Sequence, residues 1–343
     1  MRAVEYTEHR RLPRLVERPD PECPPDGVVV RVGATGVCRS DWHAWTGHDP
    51  VALPHVPGHE LAGTVHTVGP VVRRWSAGDR VTVPFVCGCG RCAWCAAGET
   101  QVCPQQTQPG FTGPGSFAEL VALHAADTNL VALPEGVDDV TAASLGCRLA
   151  TAYRALVTHG DLRSGQWLAV HGCGGVGLSA VLVGAALGAR VVAVDVSEQA
   201  LELARDLGAS VVLPAGADVG AALRDATDGG AHVSLDAVGS PGTAVSSVRS
   251  LRRRGRHVQV GLLLGDASTP PLPMDVVVAQ ELSVHGSHGM PAWQYPALLD
   301  LVTSGRIDPS RLVGRVIGLE EAGEALAAMS GPATTVGMTV VRL

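Results

Sequence analysis

Two groups of residues have the types and spacings that hold a metal ion. Cys38 and His59 offer a thiolate and an imidazole, two of the three protein ligands of a zinc site whose fourth position stays open for water or substrate. Asp41 is the carboxylate that would fix an imidazole tautomer. Ser40 and His43 are short-range groups able to carry a proton away, and Glu60 adds an anionic oxygen next to His59. The plain alternative is that a single cysteine in an apolar run is a small buried hydrophobe. The second group is stronger. Cys89, Cys92, Cys95 and Cys103 follow the pattern C-x2-C-x2-C-x7-C, four thiolates on a short loop that would close a tetrahedral site with no open position. Such a zinc braces a lobe and does no chemistry. Cys87 competes for the first place, but Cys89 preserves the even two-residue gaps.

A third constellation points to a dinucleotide. Gln166 to His171 reads as a strand, followed by Gly172-Cys173-Gly174-Gly175-Val176-Gly177 and a helical run from Leu178 to Leu187. Arg190 to Val194 is a second apolar strand, ending at Asp195, 23 residues after Gly172. This is G-x-G-x-x-G in the strand–turn–helix setting it requires. The glycines let backbone approach a pyrophosphate seated on the helix N-terminus. Asp195 would accept from the adenosine ribose hydroxyls and repel a 2′-phosphate, which favours NAD over NADP.

The elements that must position these groups follow from pattern. Residues 2–126 show short β-rich runs broken by Gly and Pro: Val28 to Val32, Leu61 to Val68, Arg80 to Pro84 and Phe117 to Leu123 read as strands. Gly69-Pro70 and Gly78-Asp79 read as turns. A compact barrel-like β domain is expected. The stretch VDDVTAASLGCRLATAYRALVTHG has helical spacing and carries Cys147. Taken alone, Cys147 is a core cysteine; as a third ligand beside Cys38 and His59 it would complete a Cys₂His site with one open position. Beyond Asp195, helix Leu201 to Leu207 and strands Ser210 to Leu213, His232 to Val238 and His257 to Leu262 give the rhythm of a parallel doubly wound sheet. Arg252-Arg253-Arg254 reads as a solvated helix end. Helices near Pro296 to Thr303 and Leu319 to Ser330 and a strand from Met338 to Leu343 complete the chain.

Composition excludes several functions. The 343 residues are 46% hydrophobic, enough for two domains each with its own core. A net charge of -7 gives no electrostatic reason to expect nucleic acid, and 3% aromatic residues leave no stacking platform for single strands. All 26 basic residues are arginine, which removes mechanisms through a lysine Schiff base or lysine general base. The N-terminal stretch MRAVEYTEHRRLPRLVERPDPE is polar and proline-broken, unlike a signal peptide. Leu178 to Val196, interrupted by Gly184, Gly188 and Arg190, reads as helix then strand, so no membrane span is expected. Nine clustered cysteines without an export signal suggest metal binding in the cytoplasm.

The motifs GVCRSD at Gly36 to Asp41, GHE at Gly58 to Glu60, the four-cysteine lobe, GCRLATAY at Gly146 to Tyr153 and HGCGGVG at His171 to Gly177 resemble the zinc-dependent alcohol dehydrogenases of the medium-chain dehydrogenase/reductase superfamily. The resemblance covers essentially the whole chain. It implies an α/β protein in which a Rossmann doubly wound parallel sheet, residues 149–287, is inserted in a GroES-like β-barrel catalytic domain made of residues 1–148 and 288–343. The structural zinc lobe spans 87–104, and the active site lies in the cleft. It implies two zinc ions per chain and NAD. Cys38, His59 and Cys147 would ligate the catalytic zinc, with Glu60 a carboxylate able to exchange onto it. Ser40 and His43 would be the ends of a proton relay through the nicotinamide ribose, Arg39 a pyrophosphate contact and Phe85 a wall of the substrate pocket. The implied reaction is reversible oxidation of a primary or secondary alcohol to aldehyde or ketone, with a homodimer or homotetramer expected and the apolar strand His257 to Leu264 as its interface edge. Two departures stand out: Ala200 replaces a lysine that some relatives set against the ribose, and His288-Gly289-Met290 replaces Gly-Thr-Arg. A polyol dehydrogenase of the same superfamily ranks second, because such relatives tend to place a carboxylate where Cys147 stands. A non-catalytic zinc- and NAD-binding scaffold ranks third, since no ligand is missing.

Overall fold

The computed structural model describes residues 1–216, 219–331 and 336–343. They divide into two units: Met1–Ala150 with Gly289–Ser304 and Asp308–Leu343, and Thr151–His288 with the short stretch Gly305–Ile307. The strands are β1 Arg2–Glu5, β2 Arg14–Glu17, β3 Val28–Val37, β4 Glu60–Val68, β5 Arg80–Thr82, β6 Leu120–Leu123 and β7 Val131–Ala132. Then come β8 Trp167–His171, β9 Arg190–Asp195, β10 Val211–Pro214, β11 Ala231–Asp236, β12 Leu251–Gln259 and β13 Ser283–Gly286, followed by β14 Val313–Gly318 and β15 Met338–Arg342.

In the first unit, seven strands run in the order β14-β15-β3-β4-β5-β7, with β6 also pairing β3. β3 is the axis of this sheet. It pairs antiparallel with β4, β6 and β15, and all but two of its ten residues are buried, which is why it reads as a continuous valine run without alternation. Val28, Val30 and Val32 pack with Leu61, Val65, Val81, Val121 and Leu123 in one core. The strand continues to Val37, beyond the expected Val32. Its small-residue end, Gly33 to Gly36, gains partners from β15 (Ala34 with Arg342, Val37 with Thr339), which local pattern does not reveal. The expected strand Phe117 to Leu123 is regular only over Leu120–Leu123; Phe117 and Ala118 instead meet the first strand through an isolated bridge and the bond from Val4 N to the Phe117 carbonyl, 2.8 Å.

The second unit carries six parallel strands in the order β10-β9-β8-β11-β12-β13, the doubly wound arrangement. Every residue of the central strand β8 is buried, and Trp167, Ala169, Val192, Val194, Leu223 and Val248 form the core against the flanking helices. Two expectations are corrected here. Arg252–Arg254 do not end a helix: the helix Pro241–Arg249 stops first, and the arginines lie at the start of β12, where Arg252 bonds His232 Nε2 at 3.0 Å. His257 lies in β12, which is interior, between β11 and β13; the sheet's two edges are β10 and Ser283–Gly286. No helix of the described residues is long and apolar enough to cross a membrane.

Buried histidines in this sheet make its stability acid-sensitive. Burial, and then the neighbouring His257, push His171 down to about 3 while its Nε2 pairs with Ser250 Oγ at 3.3 Å. A histidine kept neutral in the fold but free to protonate when unfolded, near 6.5, stabilises fully above that value. The contribution is lost as pH falls from about 6.5 towards 3. Guanidinium denaturation should show roughly 2 kcal/mol less stability at pH 5 than at pH 7 from this residue, a difference that His171→Asn reduces.

Candidate metal and dinucleotide sites

The ligand-bearing stretch is built where β3 leaves the sheet. Val37 leads into Cys38, which caps the helix Arg39–Thr46, and Asp41 in that helix's first turn is fully buried. Asp41 accepts three hydrogen bonds: from His59 Nδ1 at 2.9 Å, Gly58 N at 3.0 Å and Cys38 N at 3.2 Å. One carboxylate therefore fixes both Cys38 and His59. With its Nδ1 committed to Asp41, His59 points a buried Nε2 that makes no hydrogen bond. An orphaned imidazole nitrogen among thiols is what a metal ligand looks like. Gly58, at φ 104°, lets the chain turn there; a Cβ would meet the Phe117 ring at 2.6 Å.

Cys147 comes to the same place from the other side. The expected helix of residues 137–160 forms, but in pieces: Asp139–Ala143 is α-helical, Leu145–Leu149 is a π-helical turn, and a second π-turn follows at Ala155–His159. Such widened turns occur often at functional sites. Here the turn presents Cys147, and one ligand atom each from Cys38, His59, Glu60 and Cys147 all lie within 4.8 Å of one another, every residue buried. The hydrogen bond from the Cys147 thiol, helped by His59, holds Cys38 well below the ordinary thiol range; the same bond and burial push Cys147 well above it. Burial alone would lower His59, yet the Asp41 carboxylate and Cys38 outweigh it and raise the imidazole. These protons are the ones a bound metal displaces.

Glu60 is held by a residue that sequence reading passed over. Arg148, directly after Cys147, donates from its backbone N to Glu60 Oε1 at 3.1 Å and from Nε at 2.9 Å, and its Nη2 closes the pair on Oε2. Both side chains are buried. Gly36, opposite Glu60 in the β3–β4 register, leaves the room; a Cβ there would overlap both. The available signal was a charge inside an apolar helical run, which demands a buried partner. Phe111 was also missed: its ring centroid lies 5.2 Å from that of His59, closer than Phe85 at 6.0 Å.

Ser40 Oγ lies 3.9 Å from Cys38 Sγ, and His43, half-buried in the same helix, pairs through Nδ1 with His48 Nδ1 at 3.4 Å. Burial, then His48 and Arg39, keep His43 below its usual value, so it is neutral near pH 7. Arg39 donates to the Met329 carbonyl at 2.6 Å and stacks over Trp42.

In the four-cysteine lobe, Cys92 Sγ stands 3.5 Å from Cys95 and 3.6 Å from Cys103, and Cys89 4.0 Å from Cys95. A tetrahedral zinc with sulfurs at about 2.3 Å requires sulfur–sulfur separations near 3.8 Å. Backbone N–H groups of Cys89 and Cys95 point at the Cys103 and Cys92 sulfurs, both at 3.4 Å, and the backbone N–H groups of Arg91 and Cys92 bring Cys89 down to about 6. Cys87 stays out of the group, buried and bonded to the Pro84 carbonyl.

In the second unit, Gly172 (φ 93°) turns β8 into the helix Gly175–Ala186, and Gly177 packs so close that a Cβ would overlap the Gly172 carbonyl. Nothing fills the space a side chain at Gly174 would enter, and Val176 stands in the helix's first turn. Asp195, at the end of β9, accepts from Cys173 N at 2.6 Å and Ser197 N at 2.8 Å, which anchors its carboxylate on the turn.

Residues 24–135 match the alcohol dehydrogenase GroES-like domain, and residues 175–304 the zinc-binding dehydrogenase domain. An alcohol dehydrogenase of Geobacillus stearothermophilus is 33% identical over 96% of this chain and 95% of its own. The chain belongs to the zinc-dependent alcohol dehydrogenases. The alcohol dehydrogenase TADH of Thermus sp. ATN1 superposes with a TM-score of 0.92 at 31% identity, covering 100% and 99% of the two chains. A sorbitol dehydrogenase of Halalkalibacterium halodurans is 31% identical over 99% of this chain and 100% of its own. This dehydrogenase is therefore a zinc-dependent oxidoreductase acting on alcohols, and its folds are the GroES-like and Rossmann types. Asp41→Asn should weaken zinc binding about 10- to 100-fold, the usual cost of losing a carboxylate that orients a ligand imidazole; competition with a metal indicator dye measures it.

Proposed function

We propose that Cys38, His59 and Cys147 bind the catalytic zinc of an NAD-dependent dehydrogenase for primary or secondary alcohols, and that Cys89, Cys92, Cys95 and Cys103 bind a structural one. The carrying observation is the unbonded, buried Nε2 of His59 among the two thiols, aimed by Asp41. Zinc supplies Lewis acidity that makes an alcohol hydroxyl easier to deprotonate, and NAD supplies the hydride acceptor. The protein's own residues do the rest. Ser40 accepts the hydroxyl proton as it releases its own, and neutral His43, half-exposed beside His48, takes up the released proton on the way to solvent. Phe85 and Phe111 shield His59 from water. Glu60 remains paired with Arg148 in the resting protein, available as a neighbouring carboxylate.

The Gly172–Gly177 turn receives the pyrophosphate, and Asp195 the adenosine ribose, with NAD preferred to NADP. Arg39, seated on Trp42, is the further cationic contact for the cofactor phosphates. A thiolate at position 147 favours a simple alcohol over a polyol, the second reading. We place the protein in the cytoplasm, in keeping with nine free cysteines, as a homo-oligomer joined through the edge strand Ser283–Gly286 with exposed Val284. Elemental analysis combined with NADH absorbance over primary, secondary, aromatic and polyol substrates tests the reading. Two zinc ions per chain with NAD-linked oxidation of simple alcohols is the expected result; one zinc, or turnover of polyols alone, overturns it.

A further inference from the structure

Residues 289–295, where the chain returns to the first unit, touch three parts of that unit. Gly289, at φ 61°, lies against Phe85, whose ring a Cβ would approach to 2.9 Å. Trp293 Nε1 donates to the Gly98 carbonyl at 2.7 Å, inside the four-cysteine lobe between Cys95 and Cys103. Tyr295 is fully buried and aims its hydroxyl at the carbonyls of Leu145 and Gly146, each 3.3 Å away, the two residues that precede Cys147. The Gly146 carbonyl also accepts from Phe85 N at 3.1 Å. Donors from outside the helix on successive carbonyls compete with tight α-helical bonding, and this is where the turn is π-helical. A buried tyrosine hydroxyl is costly to leave unsatisfied, so its hold on these carbonyls is maintained.

We propose that residues 289–295 form a strap in which Tyr295 is a positioning residue for the Cys147 turn and Trp293 fastens the strap to the four-cysteine lobe. The strap rests on the proposed assignment of Cys147 as a catalytic zinc ligand. It links the two metal sites mechanically: the lobe's zinc stiffens the anchorage of Trp293, and through Tyr295 that anchorage holds a thiolate of the other centre in place.

The test is the rate at which fully zinc-loaded protein yields zinc to an excess of chelator, read with an indicator dye. Cys38→Ser protein supplies the trace of the lobe zinc alone. Tyr295→Phe is expected to speed loss of the other zinc about fivefold, equivalent to the ~1 kcal/mol of one hydrogen bond, and to leave the lobe trace unchanged. Trp293→Phe, at an exposed ring, should act in the same direction by about twofold. Trp75→Phe removes a comparable indole bond, to the Ala126 carbonyl, and should change neither phase. Equal acceleration of both zinc phases would reduce Tyr295 to general packing and overturn the strap, as would unchanged release in both strap variants. Trp293→Phe decides alone if Tyr295→Phe does not fold. Two zinc ions retained in Cys38→Ser would instead overturn the ligand assignment, and the strap with it.

Discussion

Cys38→Ser protein is expected to carry one zinc where the parent carries two, and to lose alcohol oxidation by about a thousandfold or more. The size follows from the several kcal/mol of charge stabilisation that a Lewis-acidic metal supplies at an oxygen. Serine keeps the volume but offers a hydroxyl far less acidic than a thiol that its surroundings already hold down. The lobe cysteines are untouched, so thermal unfolding should move little while turnover collapses. Elemental analysis of the purified variant beside an NADH assay is sufficient. Full turnover with a single zinc would show that the metal at Cys38 is not the catalytic one.

Arg148→Met should have the largest effect on stability. It removes the cation and leaves the Glu60 carboxylate fully buried without compensation, a change that costs about 3–5 kcal/mol when one partner of a buried pair is lost. Burial already pushes Glu60 upward against the pull of Arg148, so the variant should favour a protonated Glu60. A carboxyl whose folded pKa lies above its unfolded value loses stabilisation as pH rises through the folded value. The deficit should therefore be greater at pH 8 than at pH 5. The double change Arg148→Met with Glu60→Gln should recover most of the loss, since an amide needs no counter-charge. Denaturation midpoints of the zinc-loaded parent and the two variants decide this; an undiminished deficit in the double variant would mean that Arg148 acts by packing.

What could be read in the chain was what depends on local spacing. Four cysteines within one loop and the glycines between strand and helix announce their ligands because neighbours along the chain supply all the needed atoms. Pairings across long separations were hidden. Arg148 and Glu60 stand 88 residues apart, and only the oddity of a charge in an apolar run hints at the contact. Phe111 sits in an irregular loop with no period to read, and the bonds of Trp293 and Tyr295 depend on carbonyls, which every residue has. The arginine run was misread for a related reason: charged residues are as welcome at the exposed start of a strand as at a helix end, so composition did not separate the two. The C-terminal edge of the six-stranded sheet went to a short strand of four residues, too brief to outweigh the more apolar segment before it.

The register of β15 on β3 bears on how the polypeptide acquires its activity during synthesis. Thr339 lies opposite Val37, the residue before Cys38, so the ribosome must complete the entire six-stranded sheet before the strand that flanks this cysteine exists. Until translation ends, β3 has its partners β4 and β6 but lacks the third, β15. Shortening the chain by its final few residues would leave Cys38 at an unfinished edge.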